Sequence, residues 1–155
     1  MKKPPHIEIE ADRTIRLLSV SPFSQDHRRL NQILGRSLTG FEFNQSHTLA
    51  AAASLLRRRQ IAVVVCEYNL LPDSWTDLFA VIRRQLFPLS MIVTTRLADE
   101  NKWAEILNLG AYDLLAKPFD DHEVRRVVTA AWHHWSHERA DHSIAPQLCL
   151  SANGD

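Results

Sequence analysis

Three residues that could do chemistry together stand at points of this sequence where buried strands are expected to end. Glu67 directly follows the apolar run IAVVVC (61–66), Thr95 closes the run MIVTT, and Lys117 follows the run AYDLLA. The carboxyl ends of parallel strands meet at one edge of a sheet, and ligands collect there. An acid, a hydroxyl and an ammonium group at such an edge form a site suited to charge recognition.

The elements that must position these residues follow from the hydrophobic pattern. The run 61–66 is too short for a helix and rich in valine, which predicts a strand buried on both faces. Five such strands alternate with five helices, and each parallel return needs a helical crossover. The pattern therefore predicts an α/β fold of the flavodoxin-like, doubly wound (βα)5 type with a five-stranded parallel sheet. The predicted strands are 14–20, 41–47, 61–66, 91–95 and 111–116; the predicted helices lie in 21–36, 48–59, 74–87, 99–110 and from 117 onward.

The length of the chain allows one domain. With 155 residues it can bury a single core but not two full ones. We expect that domain to span residues 14–138, between a flexible N-terminal arm (1–13) and a flexible C-terminal tail (139–155).

Composition excludes several classes of protein. Lys plus Arg and Asp plus Glu are equal at 18 each, so the basic excess that non-specific nucleic-acid binding requires is missing. No apolar run approaches the roughly 20 residues of a membrane helix, and the start MKKPPHIEIE lacks the apolar stretch of a secretion signal. Two cysteines are too few for a disulfide framework. We therefore expect a cytoplasmic protein that binds neither nucleic acid nor membrane.

The motif GAYDLLAKPF (110–119), with Thr95 lying 22 residues before Lys117, resembles the receiver domain of bacterial two-component response regulators. The resemblance covers about residues 14–135. It implies that the third strand ends in the position of the aspartate that accepts a phosphoryl group. It also implies that an acid pair after the first strand holds Mg²⁺, while the Thr and Lys bind phosphoryl oxygens.

The chain departs from that receiver pattern at five positions. The acid pair falls on Ser21 and Pro22, neither of which offers a carboxylate to Mg²⁺. The phosphoacceptor position falls on Glu67, the residue after the switch Thr is Arg96 rather than a small one, and the switch aromatic is Leu114. These departures favour a stand-alone pseudo-receiver in phosphorelay signalling that has no cofactor and no Mg²⁺ site, is not an enzyme and acts by protein interaction.

The partners that this resemblance implies are proteins, such as a histidine kinase or a downstream regulator. In receivers the face built from helix four, strand five and helix five commonly mediates output or dimerisation. Trp103, Val124 and Trp132 are expected near that face, which could also carry a homodimer.

Two other functions remain as alternatives. One is a conventional phosphorylatable single-domain response regulator. The other is a small flavodoxin-like enzyme, although the segment SPFSQD (21–26) offers two serines and no glycine for a phosphate loop. Glu67, one methylene longer than Asp, could partly imitate the phosphorylated state through Lys117, or Glu67, Lys117 and Arg96 could form an ion-pair network that is only structural.

Two further groups of residues have chemical potential. Cys66 could act as a nucleophile, but a cysteine on a buried strand is far more often a small apolar residue. His133 and His137 share one helix face at a spacing that can ligate a metal, but no acid or cysteine completes an obvious set, which favours a solvated helix face. We expect neither catalysis nor a metal site from these residues.

Overall fold

A computed structural model of the protein describes the backbone of residues 14–37, 40–85 and 89–152, and side chains for the same residues except 37 and 139–152. In this part of the chain five long strands alternate with five helices. The strands are β1 (Ile15–Val20), β2 (Phe41–Ser46), β3 (Val63–Glu67), β4 (Ser90–Thr95) and β5 (Asp113–Ala116). The helices are α1 (Ser24–Ser37), α2 (Leu49–Arg58), α3 (Trp75–Ile82), α4 (Glu100–Leu109) and α5 (Asp121–Ala152).

The five strands form one parallel sheet in the order β2-β1-β3-β4-β5. The order reverses beside β1, because the chain places β2 on one side of β1 and β3 on the other. A crevice at the carboxyl ends of the strands is expected at such a reversal. The predicted doubly wound, flavodoxin-like fold is confirmed.

Strand β3 shows why its sequence is continuously apolar. Val64 and Cys66 pack into a core cluster with α2, α3 and α4, whereas Val63 and Val65 pack into a second cluster with α1 and α5. Successive side chains of a strand point to opposite faces, so a strand covered by helices on both sides needs apolar residues at every position.

The observed elements differ from the predicted ones in three places. Glu67 is the last residue of β3 rather than the residue after it, and a two-residue antiparallel hairpin (Asn69–Leu70 with Asp73–Ser74) follows. Strands this short leave no alternation that a sequence pattern could reveal. Helix α3 ends at Ile82, and the chain tightens there into backbone bonds from Arg84 to Val81 and from Gln85 to Ile82.

The structure describes most of the predicted C-terminal tail but not the predicted N-terminal arm. The backbone of α5 is helical as far as Ala152, so residues 139–152 of the predicted tail are helix. The predicted arm, residues 1–13, lies outside the described residues. No helix in the described ranges has both the length and the apolar character needed to cross a membrane.

A glycine fixes the turn that leads into β5 and on to Lys117. Gly110 ends α4 with a φ of 113°, and its amide donates to the carbonyls of Ile106 and Leu107. A Cβ at this position would lie 2.8 Å from the ring of Phe79. Glycine is therefore required here by both the backbone conformation and the close approach of α3.

Candidate functional site

Lys117 lies at the centre of the carboxyl edge of the sheet. Its Nζ is 2.6 Å from Oε2 of Glu67 and 2.9 Å from Oδ2 of Asp26. The side chains of Lys117 and Glu67 are only 6% and 7% exposed. The Lys117 ammonium also lies 5.1 Å from the centre of the Phe23 ring. One cation is thus shared by two carboxylates in a setting that excludes most water.

Asp26 is the site residue that the sequence analysis missed. It lies in the first turn of α1, where the helix dipole stabilises a carboxylate. Its Oδ2 accepts hydrogen bonds from Lys117 Nζ and, at 2.7 Å, from Ser21 Oγ. Ser21 also accepts the amide of Phe23. The first strand offers no acid at its end, but an acid five residues beyond Ser21 reaches the same cation. An aspartate at the start of a helix that follows a strand was the available signal.

The two threonines at the end of β4 bind different partners. Thr94 Oγ1 donates to Oε2 of Glu67 at 2.9 Å, as the pairing of Glu67 with Thr94 in the sheet register allows. Thr95 Oγ1 accepts the amide of Leu97 instead, and Thr95 lines the crevice above Glu67 and Lys117. The structure thus brings Thr95 to the same cavity as Glu67 and Lys117, and its role toward phosphoryl oxygens stays a prediction.

The residues present do not fit a Mg²⁺ site. Ser21 uses its hydroxyl on Asp26, Pro22 has no side-chain oxygen, and both nearby carboxylates already bind Lys117. In the described part of the chain, no three His, Cys, Asp or Glu side chains gather in a metal-binding arrangement. Mg²⁺ needs several hard oxygen ligands held in near-octahedral geometry.

Arg96 and Leu114, the two other positions assigned to the predicted switch, lie in different surroundings. Arg96 is exposed at the mouth of the crevice, and among the described residues it forms no ion pair with Glu67. Leu114 is 6% exposed and packs in the core on the α4 side of the sheet. Lys117, and not Arg96, is the ion-pair partner of Glu67.

The predicted interaction face is only partly a surface. Trp103 on α4 is 50% exposed and lines a groove between α4, β5 and α5. Val124 is fully buried in the cluster between the sheet and α5, so its placement on an interaction face was wrong. A valine at the start of the apolar stripe of α5 packs on the sheet, because that stripe is the face the helix buries. Trp132 is half-buried against the same cluster.

Cys66 and the histidines of α5 are the remaining candidates from the sequence. Cys66 is fully buried, and burial together with the neighbouring Glu67 carboxylate raises the pKa of its thiol, which disfavours the reactive thiolate. His133 and His137 lie exposed on α5, where His134 Nε2 is 3.3 Å from Oε1 of Glu138.

A buried histidine supports the loop that carries Ser21. His27 is 2% exposed, its Nδ1 lies 2.8 Å from Ser19 Oγ and its Nε2 lies 2.9 Å from the carbonyl oxygen of Ser21. A carbonyl only accepts, so Nε2 carries the proton and Nδ1 accepts from Ser19. Burial lowers the pKa of His27 below 6.5, assisted by the nearby His47 and opposed by the bond to Ser21 and the charge of Asp26.

The two threonines give a matched pair of stability measurements. Thr94→Val removes a hydrogen bond to a buried charged group and should lower the free energy of unfolding by about 2 kcal/mol. Thr95→Val removes only an acceptor for a loop amide and should cost about 1 kcal/mol or less. Urea unfolding of the two variants measures both values. An equal or larger cost for Thr95→Val would contradict the observed arrangement.

His27 should make the protein less stable in acid. Because its pKa is lowered in the folded state, the unfolded chain binds the proton more readily, and stability falls as the pH drops through 6.5 toward the folded-state pKa. His27→Gln removes this proton uptake, so urea unfolding at about pH 7.5 and about pH 5.5 should show a smaller loss than in the wild type. His122→Gln, at an exposed position, serves as the control. The same acid-induced loss in wild type and His27→Gln would exclude His27 as its source.

Comparisons with known proteins support the fold. No protein-family model matches this chain. A search of curated proteins found no matching relative. Among solved structures, the signal receiver domain of an HD domain-containing protein from Pseudomonas fluorescens Pf-5 is similar, with a TM-score of 0.73 and 26% identity over 83% of this chain and 93% of that one.

Two further structures agree with that likeness at lower identity. The receiver domain of the Francisella response regulator 1452 has a TM-score of 0.69 and 18% identity over 77% of this chain and 98% of that one. The chemotaxis response regulator CheY4 of Vibrio cholerae has a TM-score of 0.67 and 16% identity over 76% of this chain and 98% of that one. The chain therefore has the fold of response-regulator receiver domains.

Proposed function

We propose that this protein is a receiver-like module of two-component signal transduction that acts by binding another protein and carries no phosphoryl group. Glu67 stands in the phosphoacceptor position of a pseudo-receiver, and the proposal assigns the chain no catalytic reaction. It operates in the cytoplasm, where its kinase or downstream partner would meet it.

The observation that carries this proposal is the sharing of Lys117 between Glu67 and Asp26 at 2.6 and 2.9 Å. The site already holds two carboxylates for one cation. A phosphoryl group on Glu67 would bring further negative charge into a place that water barely reaches. Phosphoryl transfer relies on cations that neutralise the charge of the transferred group. Among the described residues, no second cation contacts Glu67, so that transfer is disfavoured.

The described residues around Glu67 offer no suitable ligands to the metal that would supply the missing charge. Ser21 and Pro22 stand where the resemblance implies an acid pair, and Asp26 is engaged by Lys117 and Ser21. The proposal therefore includes no Mg²⁺ and no other cofactor. The conformation at the top of the sheet is held by the ion pairs themselves, so it does not depend on phosphorylation.

The face between α4, β5 and α5 is better suited to a different protein than to a second copy of this chain. Its groove is lined by Trp103 and by several acids with one arginine; the charged residues are Asp99, Glu100, Asp113, Glu123 and Arg126. A two-fold dimer brings the same surface together from both copies, so these acids would face like charges. The homodimer through this face remains a prediction, and repulsion between these acids disfavours it.

Intact mass spectrometry after incubation with acetyl phosphate and Mg²⁺ tests the proposal. We expect no mass increase of one phosphoryl group on this protein, while a receiver of known competence is modified under the same conditions. Glu67→Asp should also stay unmodified, because the shorter acid still lacks metal ligands at residues 21 and 22. An increase on the wild-type chain that mild base removes would indicate an acyl phosphate and overturn the proposal.

A further inference from the structure

Three large apolar side chains lie in the open above the Glu67 and Lys117 pair. Leu71 is 84% exposed in the hairpin turn, Leu97 is 72% exposed in the β4–α4 loop, and Phe23 is 50% exposed between β1 and α1. Single exposed apolar residues are ordinary on protein surfaces, whereas several around one opening indicate an interaction site. Here three separate loops bring such residues to the rim of one cavity.

That cavity has a volume of about 480 Å³, and its floor includes Glu67 and Lys117. These two charges bind each other at 2.6 Å and Lys117 also binds Asp26, so the cation in the floor is already paired before anything enters. The cavity thus offers an apolar rim over a floor in which Lys117 is already paired with carboxylates.

Two cations complete the rim. Arg96 and Lys102 both line the cavity, and within the described ranges neither forms an ion pair with a carboxylate. The Lys102 ammonium lies 4.4 Å from the centre of the Tyr68 ring. This cation–π contact holds the ammonium group in place but does not neutralise its charge. We call Phe23, Leu71, Leu97, Arg96 and Lys102 together the crown.

The shape and charge of the crown decide between possible occupants. A small ligand is usually enclosed by its pocket, whereas the leucines of the crown project into solvent and would remain largely uncovered. A second copy docked by two-fold symmetry would bring the cations of both crowns together, which costs energy. A partner protein that carries acidic residues beside apolar ones would cover the leucines and pair with the cations.

The geometry points to the crown as the docking surface for an acidic, amphipathic segment of a partner protein. Apolar side chains of that segment pack on Leu71, Leu97 and Phe23, and its carboxylates contact Arg96 and Lys102. This inference rests on the proposed function, since it names where and by what chemistry the interaction module binds.

Peptide selection tests the crown directly, because it requires no identified partner. A phage library of short random peptides is selected on the immobilised full chain, and the best peptide is synthesised for titration calorimetry. We expect enriched peptides to combine Asp or Glu with Leu, Phe or Trp. The double variant Leu71→Ser, Leu97→Ser should bind the synthetic peptide more weakly, by about tenfold or more. Arg96→Glu should weaken it as well and should shift a repeated selection toward basic peptides.

A matched control separates the crown from general stickiness. Leu109→Ser removes another exposed leucine, 47% exposed at the end of α4, and should leave the peptide affinity unchanged. All of these side chains are exposed, so the variants should keep the fold, as circular dichroism will verify. Failure to enrich any peptide, enrichment of basic or purely polar peptides, or equal loss in Leu109→Ser would overturn the inference. Self-association that disappears in the double variant would overturn it too, because the occupant would then be a second copy.

The two proposals can fail separately. Phosphorylation of the wild-type chain by acetyl phosphate would overturn the pseudo-receiver function while leaving peptide binding to the crown intact. If the crown binds no acidic, amphipathic peptide and the chain is also not phosphorylated, the inference about the crown fails while the proposed function stands.

Discussion

The ammonium group of Lys117 lies between two carboxylates, and the top of the sheet is arranged around the need to compensate these buried charges. Removing an ion from water costs several kcal/mol, which only close and well-directed partners can offset. Glu67 comes from the end of β3, Asp26 from the first turn of α1 and Lys117 from the residue after β5. Three elements that are distant in sequence are therefore held together by one cation. Hydrogen bonds from Thr94 and Ser21 satisfy further lone pairs of the two acids.

Under the proposed function, this arrangement accounts for a receiver fold that carries no phosphoryl group. A site that must accept a phosphoryl group needs exchangeable cations and room for the incoming charge. Here Lys117 is already paired with Glu67 and Asp26, and the rim of loops above them is what remains most accessible. The loops around the site present Phe23, Leu71 and Leu97 to solvent. Recognition of another protein is the use that this combination of a closed floor and an apolar rim supports best.

The sequence predicted the fold well because periodicity reports burial directly. The run 61–66 had to be a strand covered on both faces, and the structure places alternate residues of β3 in the two core clusters. Glu67 and Lys117 were found for the same reason, since the ends of such strands meet at one edge. Asp26 was missed because its proximity to Lys117 depends on how α1 packs against the sheet, which no local pattern encodes. The hydrogen bond from Thr94 to Glu67 went unpredicted because it depends on the sheet register. Val124 was misplaced because a family face was transferred without knowing which way its side chain points.

The coupling between Glu67 and Lys117 is the quantity on which this account depends, and a double-mutant cycle measures it directly. The free energy of unfolding is determined in urea for the wild type, Glu67→Gln, Lys117→Met and the double variant, with Asp26 and Thr94 unchanged in all four. A buried, charge-assisted pair at 2.6 Å predicts a coupling energy of about 2 kcal/mol or more. A coupling energy within about 0.5 kcal/mol of zero would mean that the two side chains act independently, and the picture of a site closed by its own charges would then be wrong.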